Sequence, residues 1–382
     1  MNNIQKLTIL SVSFLMIMAS SIMSPILADL GEHFRDVDDV YIKMIMTLPA
    51  LFIIPMTLVT GRLIIHFHKK HLLYIGLTLY VVGGTLGAFA NTIVQLLFLR
   101  SLLGIGLGIL LPLSTTLIAD FFTGKERSQM MGYSTAFKNL GAIIATVISG
   151  LLVLYSWRYP FLIYLTGLIT LVLVICFLPQ QEIPEKTNYK PKINKNVWIL
   201  GWSHFIVIQA FFAVPTNISS YVKELGIGTG FTSGLLISLV TIGSFVIASF
   251  FHPVKTFLKG HIVVFGLSLL SVGMLIAGLN STLLMIGFGL VLVGLGLGLL
   301  APNIYLQASI DSDPLDVTLS LAIVSSFSYL GQFASPIIIT TIESILQVST
   351  PSSPFLIAGT IGIVAIGLVL LNMKIKIYVP TN

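Results

Sequence analysis

Charged residues are scarce in this chain: Asp, Glu, Lys and Arg make up 9% of its 382 residues, while 55% are hydrophobic. Soluble domains carry about a quarter charged residues, so this sequence cannot dress a water-facing surface, and a soluble enzyme or binding module is excluded. Cysteine is scarcer still. Cys176 stands alone in an apolar run, which excludes an internal disulfide and any cysteine-based metal cluster. Catalytic constellations are also missing: there is no HExxH and no pair of aspartates inside an apolar stretch, which argues against a membrane-embedded enzyme. No metal or cofactor is expected. His66, His68 and His71 crowd around Lys69 and Lys70 and read as a solvated basic turn, and Asp311, Asp313 and Asp316 read as a surface run of charge. The net charge of +6 does not point to nucleic acid, because the basic residues are distributed over the segments between apolar runs.

Long apolar runs are what the chain has in abundance. A helix needs about 20 apolar residues to cross the hydrocarbon core, and twelve such spans can be drawn. They fall at approximately 7–30, 41–65, 71–90, 92–119, 128–154 and 158–178, then 197–221, 231–252, 261–279, 282–308, 317–346 and 354–373. The fold class is therefore an all-α polytopic membrane protein. The first span follows Lys6, is long, and has eleven more behind it, so it reads as a retained helix rather than a cleaved leader. Basic residues set the orientation. Fourteen of the twenty Lys and Arg fall in segments on one side and four (Arg35, Lys43, Arg158 and Lys223) on the other, while Arg100 and Lys138 lie inside spans. Both termini are thus expected in the cytoplasm. The longest polar segment, residues 179–196, carries Pro179, Pro184, Pro191 and four lysines, a composition that suits an extended cytoplasmic linker. It separates an N-terminal six-helix bundle, residues 1–178, from a C-terminal six-helix bundle, residues 197–382.

The two halves echo each other at an offset of 190 residues. Gly104, Gly106, Gly108 and Pro112 in RSLLGIGLGILLP return as Gly294, Gly296, Gly298 and Pro302 in VGLGLGLLAP. Pro25 matches Pro215, Lys69 matches Lys259, His71 matches His261, and Gly141 matches Gly331. The charges are not repeated: Leu290 stands where Arg100 would return, and Ser328 where Lys138 would. Membrane proteins built from two such parallel repeats bind solute between them and rock about that site.

These residues resemble a known family. Twelve spans in two pseudo-symmetric six-helix bundles, a basic central segment and the motifs below are similar to the major facilitator superfamily, particularly its twelve-helix drug:proton antiporters. The resemblance covers the whole chain. LLFLRSLLGIGLG on the fourth span is similar to the family's pattern of a leucine, an arginine four residues later and glycines beyond, and the resemblance implies a part in proton coupling for Arg100. On the fifth span Gly132, Gly141 and Gly150 fit the antiporter glycine pattern, whereas Ala145, Thr146 and Ser149 replace its G, P and G. The replacements other than the proline stay small, so helices can still approach closely, but the proline kink is lost. In the second half GQFASP keeps Gly331 and Pro336, and Trp157-Arg158 looks like the family's WR at the end of the fifth span. Between the second and third spans, GRLIIHFHKK retains Gly61, Leu63, Lys69 and Lys70 of the family's G-x-L-A-D-R-x-G-R-K, with Ile65 for the aspartate and His68 for the glycine. The resemblance assigns that aspartate to a charge network that holds the cytoplasmic side closed, so this chain is expected to hold that state differently.

A charge at the centre of a span costs at least about 2.5 kcal/mol and tends to face a cavity. Arg100, roughly 12 Å into its span, can anchor an anionic group or favour ionisation of a nearby carboxylate; as a structural residue it would instead be held by carbonyls of neighbouring helices. Lys138 shares a helix face with Gly141, Ala145 and Ser149, where it can bind an anionic headgroup, carry a proton, or snorkel to the interface. Carboxylates are few: Asp29 at the end of the first span and Glu343 near the end of the eleventh are the candidates. His204 can titrate near neutrality. Gln209, Asn217, Asn303, Tyr305, Gln307 and Gln332 can supply neutral hydrogen bonds to a mixed cavity, and Met16, Met18 and Met23 an adaptable apolar wall.

The expected function is secondary transport by alternating access, with proton-coupled efflux of small amphipathic compounds across a bacterial cytoplasmic membrane. The partners are then a small-molecule substrate, protons and the lipid bilayer, with no nucleic acid, for a monomeric protein. Arg100 and Lys138 favour one alternative, an exporter or flippase of an anionic lipid-like or metabolite substrate. From another class, a non-transporting receptor or scaffold stays open on account of the degraded loop signature.

Overall fold

The computed structural model describes residues 3–64, 66–179, 192–313 and 316–378, and for residues 128, 318 and 372–378 it describes the backbone alone. Ile65 and residues 180–191, the greater part of the expected linker, lie outside the described residues. Twelve helices among the described residues are long and apolar enough to cross a bilayer. They are α1 (Asn3–His33), α2 (Asp39–Leu63), α3 (Lys69–Phe89), α4 (Ile93–Phe121), α5 (Gly124–Leu152) and α6 (Tyr159–Phe177), followed by α7 (Lys195–Glu224), α8 (Gly230–Ser249), α9 (Phe251–Leu279), α10 (Leu283–Ile310), α11 (Leu319–Leu346) and α12 (Ser353–Leu371). The all-helical, twelve-span expectation holds because hydrocarbon offers no partner for backbone polar groups, and a helix satisfies them within one segment.

Helix ends follow local chemistry. Asp38 accepts a hydrogen bond from the Val40 amide at 2.9 Å to start α2, and Asn194 accepts from the Asn196 amide at 3.0 Å to start α7. Thr92 and Gln95 form a reciprocal capping box at the start of α4, satisfying two of the amides that a helix N-terminus leaves open. One segment departs from the sequence reading. Residues 253–260, expected as a loop, begin with a short helix, Phe251–Leu258, which ends where Lys259 takes a φ of 50°. Pro253 falls in the first turn of that helix, where its missing N–H costs nothing, so the proline did not mark a loop.

The chain divides into two compact units. The first holds α1 to α6 together with residues 229–235 at the start of α8; the second holds α7, the remainder of α8 and α9 to α12. In each unit the glycine run does the same packing. Alternate glycines point to opposite sides of one helix, because a step of two residues turns the helix by about 200°. Gly104 and Gly108 of α4 therefore lie against α2, where a Cβ would fall 2.5 Å from the Pro49 carbonyl and 2.6 Å from Met56 Cβ, while Gly106 lies against α3 at Gly76. In the second unit Gly294 and Gly298 lie against α8 at Val240 and Ser244, and Gly296 lies against α9 at Gly266. Such small residues let backbones meet where lipid offers no hydrophobic drive for association.

The α1–α5 and α7–α11 pairs repeat this match. Gly141 lies against the Phe14 carbonyl and Gly331 against the Phe205 carbonyl. Ser149 donates to the Ile22 carbonyl at 2.6 Å, and Ser335 donates to the Gln209 carbonyl at 2.7 Å. Gly150 packs against Gly230, both within the first unit. Gly61 and Gly132, read as packing or gating positions, face open space: a Cβ at either would meet nothing within 4 Å. Pro336 lies within α11, as Pro112 and Pro302 lie within α4 and α10.

Candidate functional site

The most unusual side chain in the first unit is Arg100, the largest fully buried residue, with 1% of its surface exposed. It sits seven residues after Ile93, about 10 Å along α4. Nη1 donates to the Tyr164 hydroxyl at 2.7 Å, and that hydroxyl donates in turn to the Ala19 carbonyl at 2.5 Å. The guanidinium carbon also stands 4.9 Å from the centre of the Phe161 ring and 5.0 Å from that of Tyr164, an arrangement in which the ring faces attract the cation. Tyr80 meets Tyr164 edge-on at 5.5 Å. Residues of α1, α3, α4 and α6 thus converge on one cation. Arg100 Nε, Arg100 Nη2 and Tyr80 Oη have no hydrogen-bond partner among the described residues, and none of the ion pairs there involves Arg100. The site holds a buried positive charge with unspent donors, flanked by two aromatic rings.

Lys138 is placed half-buried on α5, without an ion pair among the described residues. One turn before it, Ser134 shares a buried hydrogen bond of 2.8 Å with Ser13 of α1, so its stem emerges beside the α1–α5 seam. The carboxylate candidates are dispersed. Asp29 is half-buried near the end of α1, and Glu343 accepts a hydrogen bond from Ser353 at 2.5 Å, which ties the end of α11 to the start of α12.

At the end of the unit where α2 passes to α3, a charge pair appears that the sequence reading missed. Lys69 bonds Asp120 at 2.5 Å, with 5% and 29% of the two side chains exposed. Asp120 ends α4, and it supplies a carboxylate partner for the basic turn whose motif position 65 is isoleucine. Lys70 donates to the carbonyls of Ile175 and Leu178 at 3.1 and 2.8 Å, capping the electronegative end of α6. At the opposite end Arg158 donates to the carbonyls of Ala88 and Ala90 at 2.6 and 3.0 Å and stacks 4.3 Å from the Trp157 ring. The WR pair is therefore a cap on α3.

Within its spans the second unit carries neutral polar groups in place of charge. Its buried carboxylate lies just before α11: Asp316, read in the sequence as part of a surface run, is 1% exposed and accepts a hydrogen bond from the Lys192 amide at 3.1 Å, whereas Asp313 is exposed. His204 meets the Tyr305 ring edge-on at 5.1 Å, and Tyr305 shares a hydrogen bond of 3.2 Å with Ser325. The His204 ring makes no full hydrogen bond among the described residues, although the Val324 backbone lies beside it. Gln209 is 3% exposed, with Nε2 unpartnered among the described residues, and Gln332 is 7% exposed. Asn217 is spent on its own helix, donating to the Ala213 carbonyl and to Thr216 at 2.8 and 2.9 Å. The expected polar trio of α10 is split. Asn303 and Gln307, one turn apart, face a crevice lined by α7, α9 and α12, while Tyr305 projects toward His204 and α11.

Known proteins share this sequence pattern and this architecture. The family profile of the Major Facilitator Superfamily matches residues 9–336. Multidrug resistance protein 3 of Bacillus subtilis (strain 168) is 25% identical over 269 residues, 61% of this chain and 50% of that protein. Multidrug transporter protein MdtP of the same organism is 30% identical over 123 residues, 31% of this chain and 23% of that protein. The chain thus spans half or less of the length of the curated relatives it matches. Among solved structures, a bacterial homolog of the human lysosomal transporter Spinster, inward-facing and occupied, superimposes with a TM-score of 0.75 at 14% identity, covering 97% of this chain and 96% of that one. Family and architecture agree. With twelve apolar helices among its described residues and bacterial relatives, the chain is a multi-pass protein of a bacterial cell membrane and belongs to the Major Facilitator Superfamily.

Proposed function

We propose that the protein is a secondary transporter that works by alternating access and expels small amphipathic compounds in exchange for protons. Its relatives include proteins named for multidrug resistance, which supports the substrate class. The observation that carries the coupling half of the reading is Arg100: a guanidinium buried without a carboxylate, with two unbonded nitrogens, lowers the cost of placing a negative charge nearby. Lys138 extends the same bias along α5. The basic residues support an orientation with both termini in the cytoplasm, and residues 1–178 and 197–382 act as the two moving bodies, joined by 179–196. The working form is a monomer.

The experiment is dye efflux from proteoliposomes with and without an imposed pH gradient. The parent expels an amphipathic dye only when the gradient is present, and Arg100→Ala lowers the rate at least tenfold, about 1.4 kcal/mol of barrier. Arg100→Ala and Lys138→Ala transporting as the parent does across about pH 6 to 8 would remove both residues from the mechanism. A second reading, export of an anionic lipid-like or metabolite substrate, is favoured by Lys138, a half-buried cation without an ion pair among the described residues. Under that reading Lys138→Gln abolishes transport of anionic compounds and spares cationic dyes.

A further inference from the structure

The second unit contains a crevice that the proposed transport chemistry does not use. Its volume is about 490 Å³, within the range of about 300–1,000 Å³ typical of small-molecule sites. Leu200 of α7, Leu267 of α9, Leu300 of α10 and Leu368 of α12 contribute to apolar walls, and Lys255 and Lys259 also line it. A more open hollow of about 650 Å³, bounded by Phe251 and His252, borders the same two lysines.

Three features select an occupant. Neither Lys255 nor Lys259 has a carboxylate partner among the described residues. Their situation contrasts with that of Lys69, which Asp120 neutralises: 190 residues on, Lys259 matches Lys69, but Ile310 stands where Asp120 would return. The second feature is Asn303, 5% exposed, lining the crevice with Oδ1 unpartnered. Gln307 lies one turn nearer the lysine-bearing end, about 6 Å along the axis, so α10 presents a polar strip leading inward. The third is the short helix Phe251–Leu258 itself, which carries Lys255 while leaving Phe257 86% exposed. Aromatic and basic residues together on a short helix are the composition of a segment lying in a membrane interface.

We propose that this crevice binds an anionic glycerophospholipid with a hydroxylated headgroup. The phosphate rests on the Lys255 and Lys259 ammonium groups, a headgroup hydroxyl donates to Asn303 Oδ1, and an acyl chain lies against the apolar walls. Charge complementarity favours this occupant over a zwitterionic lipid, and the length of apolar wall favours it over a free phosphate. Binding requires only that the chain sit in a bilayer, so it stands or falls independently of which compound the protein transports.

The test uses the full chain in phosphatidylcholine nanodiscs, titrated with phosphatidylglycerol and read by native mass spectrometry, with glycerol 3-phosphate and inorganic phosphate as competitors. One phosphatidylglycerol is retained by the parent. The double substitution Lys255→Gln/Lys259→Gln weakens that binding about thirtyfold, the electrostatic contribution of two lysines near a membrane surface, and Asn303→Leu weakens it about fivefold, the loss of one hydrogen bond. Lys125→Gln, which changes an exposed lysine remote in sequence from the crevice, leaves it unchanged. Ile310→Asp, which supplies Lys259 with a partner, weakens binding in a second way should the double variant fail to fold. Retention of phosphatidylcholine as tightly as phosphatidylglycerol, undiminished binding in folded variants, or displacement by glycerol 3-phosphate at equal concentration would each overturn the proposal.

Discussion

The two units share a packing skeleton and differ in what they bury. In the first, Arg100 is enclosed by Tyr164 and Phe161, and Lys69 is paired with Asp120. In the second, Leu290 and Ile310 occupy the matching positions, and the polarity buried at mid-span is neutral: His204, Gln209 and Gln332 stand where the first unit has Phe14, Ala19 and Ala142. The skeleton survives this exchange because its closest contacts are backbone against backbone. Gly106 meets Gly76 as Gly296 meets Gly266, and neither contact depends on the chemistry of a side chain. Duplicated halves can therefore diverge in charge while keeping one architecture.

The largest effect expected from breaking this comparison is at Leu290. Leu290→Arg puts the missing charge into the second unit at a position with no exposure, without a Tyr164 or Phe161 counterpart, and should cost at least about 3 kcal/mol. Loss of the monodisperse folded species in size-exclusion chromatography reports it, whereas Arg100→Leu should keep the fold. A well-folded Leu290→Arg protein would mean that the aromatic shell is not what makes the arginine tolerable. The shared skeleton is sharpened by Gly106→Val and Gly296→Val. An added Cβ falls 2.8 Å from the Gly76 carbonyl in one and 2.6 Å from the Gly266 carbonyl in the other, and the pair should each lose about 1–3 kcal/mol in thermal melts, to a similar extent.

Smaller effects separate the polar ends. Asp120→Asn should destabilise the first unit by about 2 kcal/mol, less than a fully buried pair would lose because the aspartate is partly exposed. The reverse change, Ile310→Asp, should add no more than about 0.5 kcal/mol in the second unit, since Lys259 is solvent-exposed; melting temperatures of the two variants side by side decide it. The smallest contrast is at the caps. Thr92→Ala breaks a capping box and should cost about 1 kcal/mol, while Thr282→Ala, at a helix start without a side-chain cap, should cost a few tenths, read as the difference between their denaturation midpoints.

The spans were legible in the sequence because each depends on a local property, about 20 consecutive apolar residues, and the duplicated glycines were legible because their spacing repeats. The partners of the buried charges were not. Tyr164 lies 64 residues from Arg100, and Asp120 lies 51 residues from Lys69. Nothing near either residue marks it: Asp120 ends an ordinary apolar helix, and Tyr164 is one aromatic among many. The short helix at Phe251–Leu258 was hidden by Pro253, whose meaning reverses between a helix interior and a first turn. Asn303, Tyr305 and Gln307 looked like one polar group until the direction of each around α10 was known.

By itself the sequence determined that this protein lives in a membrane, crosses it with twelve helices and consists of two related halves that differ in charge. Hydrophobic length and residue spacing are one-dimensional quantities, and the bilayer reads them directly. Only the tertiary structure decided which groups surround the buried cations, that Lys69 of the basic turn pairs with Asp120 at the end of α4, and that a lysine-bearing crevice opens in the second unit. Those outcomes depend on distances between residues of different helices, which lipid does not impose and which packing at small residues sets one contact at a time.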